Sequence, residues 1–249
     1  MEWLLPEQLS SLHALLLVLS AGVTSAVTAS MGVGGGILLL AIMAVIMPAA
    51  AIIPVHGMVQ LGSNLNRVIM TITHVDWRLL AAFAPGSILG AWLASLFLVQ
   101  LPTSTLQLTI AGFILFLCWG PKIPPMALGR TGTFVAASIT SFISMFAGAS
   151  GPLVAAFVKQ QHVGDRFRTV ANFAACMSLQ HLPKAVVFGA AGFVFKDWLG
   201  LMLLMILSGA VGTWMGLHLL KRISNQHFTL IFNWLLTLLA IQLVWQALA

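Results

Sequence analysis

The sequence predicts an all-α, polytopic membrane protein of about ten helical segments, some short or re-entrant, arranged as two inverted repeats of five. Three observations carry this expectation. Apolar residues make up 60% of the 249-residue chain and charged residues only 6%, against roughly 25% charged in soluble domains. The apolar runs approach the roughly 20 residues that span a bilayer as a helix. They are also too long for the roughly ten-residue alternating strands of a membrane barrel. Finally, short motifs in the first half return in the same order in the second. One transmembrane domain over 1–249 is expected, with repeats at 9–120 and 130–249.

The segments run in order as 9–29, 34–53, 55–73, 77–99, 103–119, 131–147, a short 152–158, 170–191, 198–220 and 228–248. The first is preceded by Glu2 and Glu7 without Lys or Arg, so it reads as a retained helix and not as a cleaved signal. The longest hydrophilic joint, 120–130, is broken by Pro121, Pro124 and Pro125. With the N-terminus outside, Arg67, His74, Arg78, Lys122, Arg130, Lys159, Arg166, Arg168, Lys221 and Arg222 fall in or toward cytoplasmic loops. Only Lys196 stays outside. The positive-inside rule therefore places both termini outside a cell inner membrane. The same rule accounts for the net charge of +6, and no aromatic-interleaved basic patch suggests nucleic acid. Cys118 and Cys176 form no CxxC or metal spacing, so no metal and no cofactor is expected.

Thr24-Ser25 and Gly32 recur as Thr140-Ser141 and Gly148, 116 residues on. Asp76-Trp77 recurs as Asp197-Trp198, and Gly90-Ala91-Trp92 as Gly212-Thr213-Trp214. An odd number of segments per half inverts the second half, as in secondary transporters whose sites lie at the midplane between repeats. Asp76 and Asp197 fit as helix N-caps, with Trp77 and Trp198 at the membrane interface.

Two glycine-rich stretches interrupt this pattern: 32–36, with Gly34, Gly35 and Gly36, and 148–152, with Ser150, Gly151 and Pro152. The first follows an apolar helix and not a strand, so a dinucleotide loop fails its context. Close helix packing through small residues is one reading. A pair of breaks inside the membrane is the other. Residues 130–165 are too few for two full crossings and a turn, which favours a hairpin returning to its own side there. Each break opens a new helix, with Ser150 as a cap, and a helix N-terminus with free N–H groups attracts anions.

Arg67 and Lys184 stand inside segments, 117 residues apart. A central Arg or Lys costs roughly 2.5–3.5 kcal/mol on insertion scales. Arg67 could snorkel toward His74 and Arg78; Lys184, about 10 Å from its helix end, has less room to do so. No carboxylate accompanies them, which argues against a cation carrier. Asn64, Asn66, Asn172 and Gln180 add amides, and His56 and His181 are the remaining titratable groups. No Ser/His/Asp set, HExxH or Walker motif is present.

The chain resembles the sulfite exporter TauE/SafE family over nearly its full length. The resemblance rests on Gly32-Val33-Gly34-Gly35-Gly36, the His56-to-Arg67 stretch with Asn64 and Asn66, Val75-Asp76-Trp77, and Pro85-Gly86 through Gly90-Ala91. It departs at the second break, where Ala149, Ser150 and Pro152 replace a glycine run. The resemblance implies a permease exporting sulfite, an organosulfonate or another small sulfur oxyanion. Its expected substrate-binding set is Gly34, Gly35, Gly36, His56, Asn64, Asn66, Arg67, Ser150, Gly151, Asn172, Gln180, His181 and Lys184. The bilayer is the other expected partner, and homo-oligomerisation is left open. The competing readings are an intramembrane enzyme, which lacks a nucleophile or acid–base pair, and a non-transporting assembly partner.

Overall fold

The computed structural model describes residues 6–97, 102–121, 129–219 and 226–248. Lys122, Lys221, Arg222, Pro124, Pro125 and Glu2, which enter the sequence reading, lie outside these. The described residues form ten α-helices: α1 Ser11–Met31, α2 Gly35–Ile46, α3 Ala49–Met70, α4 Trp77–Ser95, α5 Thr103–Trp119, α6 Arg130–Ala147, α7 Gly151–Gln161, α8 Arg166–Ala190, α9 Leu199–Leu219 and α10 Gln226–Leu248. Two 3₁₀ turns, Ile72–His74 and Phe195–Trp198, precede α4 and α9.

The protein is a membrane protein. Ser11–Met31, Trp77–Ser95 and Phe195–Leu219 are long and apolar enough to cross a bilayer, with mean hydropathies of 1.8, 1.2 and 1.7. Large apolar side chains on these helices point outward, among them Leu12, Leu19, Val23, Ile88, Trp92, Leu207 and Val211. An outward apolar belt of this kind suits lipid and not water. α3 and α8 are as long but polar, and they lie against each other in the middle. Around them α1 packs along α9, α4 along α6, and α5 along α10.

Glycine sets two close crossings. A Cβ on Gly90 of α4 would lie 2.0 Å from the Ser138 carbonyl of α6. A Cβ on Gly212 of α9 would lie 1.9 Å from the Gly22 carbonyl of α1. Only a hydrogen at each position lets the backbones approach this far.

Two joints differ from expectation. The second and third helices part at Met47-Pro48, not at Pro54, which lies inside α3. α2 therefore has 12 residues and α7 has 11, about 18 and 16 Å at 1.5 Å per residue. Both are half-length, and the two are nearly matched. Asp76 caps α4 as expected, accepting from Arg78 N at 2.9 Å and Leu79 N at 3.3 Å. Asp197 instead sits within the 3₁₀ turn Phe195–Trp198, whose N-cap is Val194. Trp77 is exposed, whereas Trp198 is buried and walls a cavity.

The bundle has unlike ends. Arg78, Arg130, Lys159, Arg166 and Arg168 gather where α4, α6 and α8 begin and α7 ends. This is the basic end. The opposite end holds Pro48, Thr103, Asp197 and Trp198 around an open cavity of about 430 Å³.

Candidate anion site between two broken helices

α1 ends at Gly32, whose φ of 87° is left-handed and suits glycine. Gly34, with φ of 114°, then starts α2. α6 ends likewise at Gly148, with φ of 80°, and Ser150 starts α7. The two new helices open alike. Ile37 and Leu38 N–H both donate to the Gly34 carbonyl, and Leu153 and Val154 N–H both donate to that of Ser150. Ahead of these bonds stand the N–H groups of Gly35 and Gly36 in α2 and of Gly151 in α7, Pro152 having none, at the positive end of each helix dipole.

Both openings face one small central cavity of about 20 Å³, room for little more than one water. Its wall includes Gly34, Gly36, Ala149 and Gly151 from the breaks, and Thr28 from α1. His56, Gln60 and Asn64 face it from α3, and Phe173, Met177 and His181 from α8. The His56 and His181 rings meet edge-on with centroids 5.9 Å apart. His56 Nε2 bonds the Gly36 carbonyl at 2.8 Å. The Nδ1 atoms of both rings are buried without a partner.

The two cations stand one contact behind this wall. Arg67 is 1% exposed, so it does not snorkel. It lies in the last turn of α3, buried sideways under α9 and not deep along the axis. Its Nη1 donates to Asn64 Oδ1 at 2.8 Å and its Nη2 reaches Thr213 Oγ1 at 3.5 Å. Its Nε has no partner. Lys184 is 0% exposed and donates to the Gly148 carbonyl at 2.7 Å. That carbonyl ends α6, so the ammonium also serves as its cap. Gly57 leaves space for the lysine stem, since a Cβ there would lie 2.9 Å from Lys184 Cδ.

Residues 16–243, from α1 to the last turns of α10, match the family described as Sulfite exporter TauE/SafE. The chain belongs to that family. Comparison with curated proteins and with solved structures gives no match. TauE/SafE membership implies an anion permease.

Within this TauE/SafE chain the structure brings together Gly34, Gly36, His56, Asn64, Gly151 and His181 at the cavity, with Arg67 and Lys184 behind it. Gly35 faces away, packed so closely on α1 that a Cβ would lie 1.8 Å from the Thr24 carbonyl. Ser150 stands at the cap position, but its hydroxyl makes no capping bond and instead donates to Gln180 Oε1. Gln180 in turn donates to Thr140 and Ser141, each at 3.2 Å. Asn172 lies elsewhere. It accepts from Asp76 N at 2.7 Å and donates to the carbonyls of His74 and Arg168, locking α8 to the joint before α4. Asn66 is half-buried and outside the cavity wall. Gln60 was not among the expected residues. It lies one turn from both His56 and Asn64, so the stripe His56, Gln60, Asn64 was readable from helical spacing alone.

Proposed function

We propose that the chain is a secondary transporter that exports a small sulfur oxyanion, sulfite or an organosulfonate, across the inner membrane through the central cavity. The observation that carries this reading is the meeting of two broken helices, each starting at the cavity, with buried Lys184 bonded to the second break and buried Arg67 bonded to Asn64 of the cavity wall. Converging N–H groups, neutral amides and two cations make a positive site for an oxyanion in a low-dielectric surround. Hydrogen bonds to charged oxygens are among the stronger ones available.

Inverted repeats over 9–120 and 130–249 are part of this reading. Matching helix i with helix i+5 turns the α1–α9 pair into α6–α4, and turns α3–α8 and α5–α10 into themselves. The glycine crossings at Gly90 and Gly212 match as well. Such halves transport by rocking against each other around a midplane site. The central cavity is smaller than any sulfur oxyanion, so binding requires the walls to part. With the basic end cytoplasmic and both termini outside, outward anion movement is downhill by about 2.3 kcal/mol per charge per 100 mV. Export therefore needs no coupling ion.

The test is radiolabelled sulfite or sulfonate flux in proteoliposomes. Arg67→Ala and Lys184→Ala should each lower flux by at least about tenfold while membrane insertion persists, since each removes more than about 1.4 kcal/mol of favourable charge. Wild-type flux in both variants would end the proposed site.

A further inference from the structure

The central cavity has two unlike sides. His56, Gln60 and Asn64 wall it from α3 at one-turn spacing, and Phe173, Met177 and His181 do the same from α8. The offset of 117 that relates Arg67 to Lys184 relates these stripes as well. Under the proposed repeat, Phe173 matches His56, Met177 matches Gln60 and His181 matches Asn64. The positions correspond and the chemistry does not. We propose that Phe173 and Met177 determine specificity. They admit anions whose oxygens all lie to one side, such as sulfite and alkyl sulfonates, and reject anions with oxygens all round, such as sulfate. This rests on the transport reading above.

The α3 side is built for hydrogen bonding. Arg67 Nη1 donates to Asn64 Oδ1 at 2.8 Å. Asn64 Nδ2 donates in turn to the Gln60 carbonyl at 2.7 Å and reaches Gln60 Oε1 at 3.4 Å. The buried guanidinium therefore polarises the amide residues of the cavity wall. The first break leans the same way. Gly36 and its match Pro152 both line the cavity, and only Gly36 carries a backbone N–H. Charged oxygens find their donors on this side.

The α8 side differs at two of its three positions. Phe173 is 4% and Met177 5% exposed, and neither side chain can donate a hydrogen bond. A Cβ on Gly151 would lie 3.3 Å from Phe173 Cζ, which places this ring against the second break. Its match His56 is placed against the first by its bond to the Gly36 carbonyl. Behind the cavity, Phe173 and Met177 join an apolar cluster with Phe83 and Phe157, and close packing there holds this side in position. His181 alone of its stripe is polar.

An oxygen turned toward Phe173 and Met177 gives up hydration and gains no donor, which is costly for a charged group. Sulfite can turn its sulfur lone pair that way, and an alkyl sulfonate its carbon. The polarizable thioether of Met177 suits either face. Sulfate has an oxygen at every corner and must always strand one.

The test is flux of radiolabelled sulfite, methanesulfonate and sulfate in proteoliposomes, each anion alone, at a pH where sulfite and sulfate are both dianions. Sulfite and methanesulfonate should each exceed sulfate at least about tenfold in the ratio of rate to half-saturation, as one stranded polar group predicts. Met177→Gln gives this position the side chain of its match and should narrow the sulfite-to-sulfate ratio at least about threefold. Met177→Leu keeps the wall apolar and should keep that ratio, whatever its absolute rate. Sulfate moving as well as sulfite in the unsubstituted chain overturns the proposal, and this comparison needs no variant to fold. So does an equal change of the ratio in Met177→Gln and Met177→Leu. Equilibrium dialysis of the same anions against the detergent-solubilised chain separates the two readings. Binding in the expected order without flux sinks the transport reading and leaves the selective wall; flux without discrimination does the reverse. Binding of none of the three overturns both.

Discussion

The two broken helices solve one problem by different chemistry. At the first, α2 is pressed against α1 with no side chain between, since Gly35 faces the Thr24 carbonyl and the Thr28 hydroxyl. Beside it stands the Ser25–Ser63 hydroxyl pair, at 2.7 Å. At the second, a Cβ on Gly151 would lie 3.3 Å from Phe173 Cζ, and polar side chains hold the break. Ser150, Gln180, Thr140, Ser141 and Ser87 form one connected set. Under the proposed repeat, Ser150 of the second half matches Gly34 of the first, and Ser87 of the first matches Gly209 of the second. A Cβ on Gly209 would lie 3.0 Å from Ser25 Oγ. The side chain that reaches each break differs too: His56 bonds the Gly36 carbonyl at the first and Lys184 the Gly148 carbonyl at the second. Close backbone contact fixes one half; a hydrogen-bond network fixes the other.

The sharpest way to break this comparison is to add one methyl to each. Gly35→Ala has no space and should cost more than about 3 kcal/mol, the upper range for overpacking, seen as loss of folded protein in a thermal melt in detergent. Gly151→Ala should cost less than about 1 kcal/mol, since the Phe173 ring can shift. Equal melting temperatures for the two would show that the breaks are packed alike.

Removing polar groups should give the reverse order. Gln180→Met takes the acceptor from buried Ser150 and a donor from Thr140 and Ser141, and should cost about 2–3 kcal/mol. Ser63→Ala removes one hydroxyl pair and should cost about 1 kcal/mol. A melt in which Ser63→Ala is the worse variant contradicts the network account. The smallest contrast is at the caps. Asp76→Ala should cost about 1 kcal/mol, and Asp197→Ala less than about 0.5 kcal/mol, measured in the same way.

How much of this was legible follows the physics of each signal. The breaks at Gly32 and Gly148 were readable because a left-handed residue after an apolar helix selects glycine. The joint at Pro48 was not, because 34–53 is one apolar run and Pro54 offers an equally good stop signal. Pro54 is tolerated at the sixth position of α3, where only one early hydrogen bond is lost. Arg67 and Lys184 were legible as misfits in apolar sequence. Their partners Thr213 and Gly148 were not, because both contacts join different helices. Asn172 misled for the same reason: its amide is spent on the joint before α4, and nothing near it in the chain announces that. The Ser87–Ser141–Gln180 set was hidden because serines and threonines are ordinary in membrane helices, where small residues serve packing.

The unlike ends of the bundle have a thermodynamic corollary. A passive carrier cannot itself bias where its cargo finally accumulates; with no membrane potential acting, reversibility forces the ratio of maximal rate to half-saturation to be equal in both directions. A grasping, basic doorway at one side and a greasy, acid-edged funnel at the other therefore trade only speed for sensitivity. Scarce cargo would be gathered well from the basic side, and once released it would re-enter only when abundant.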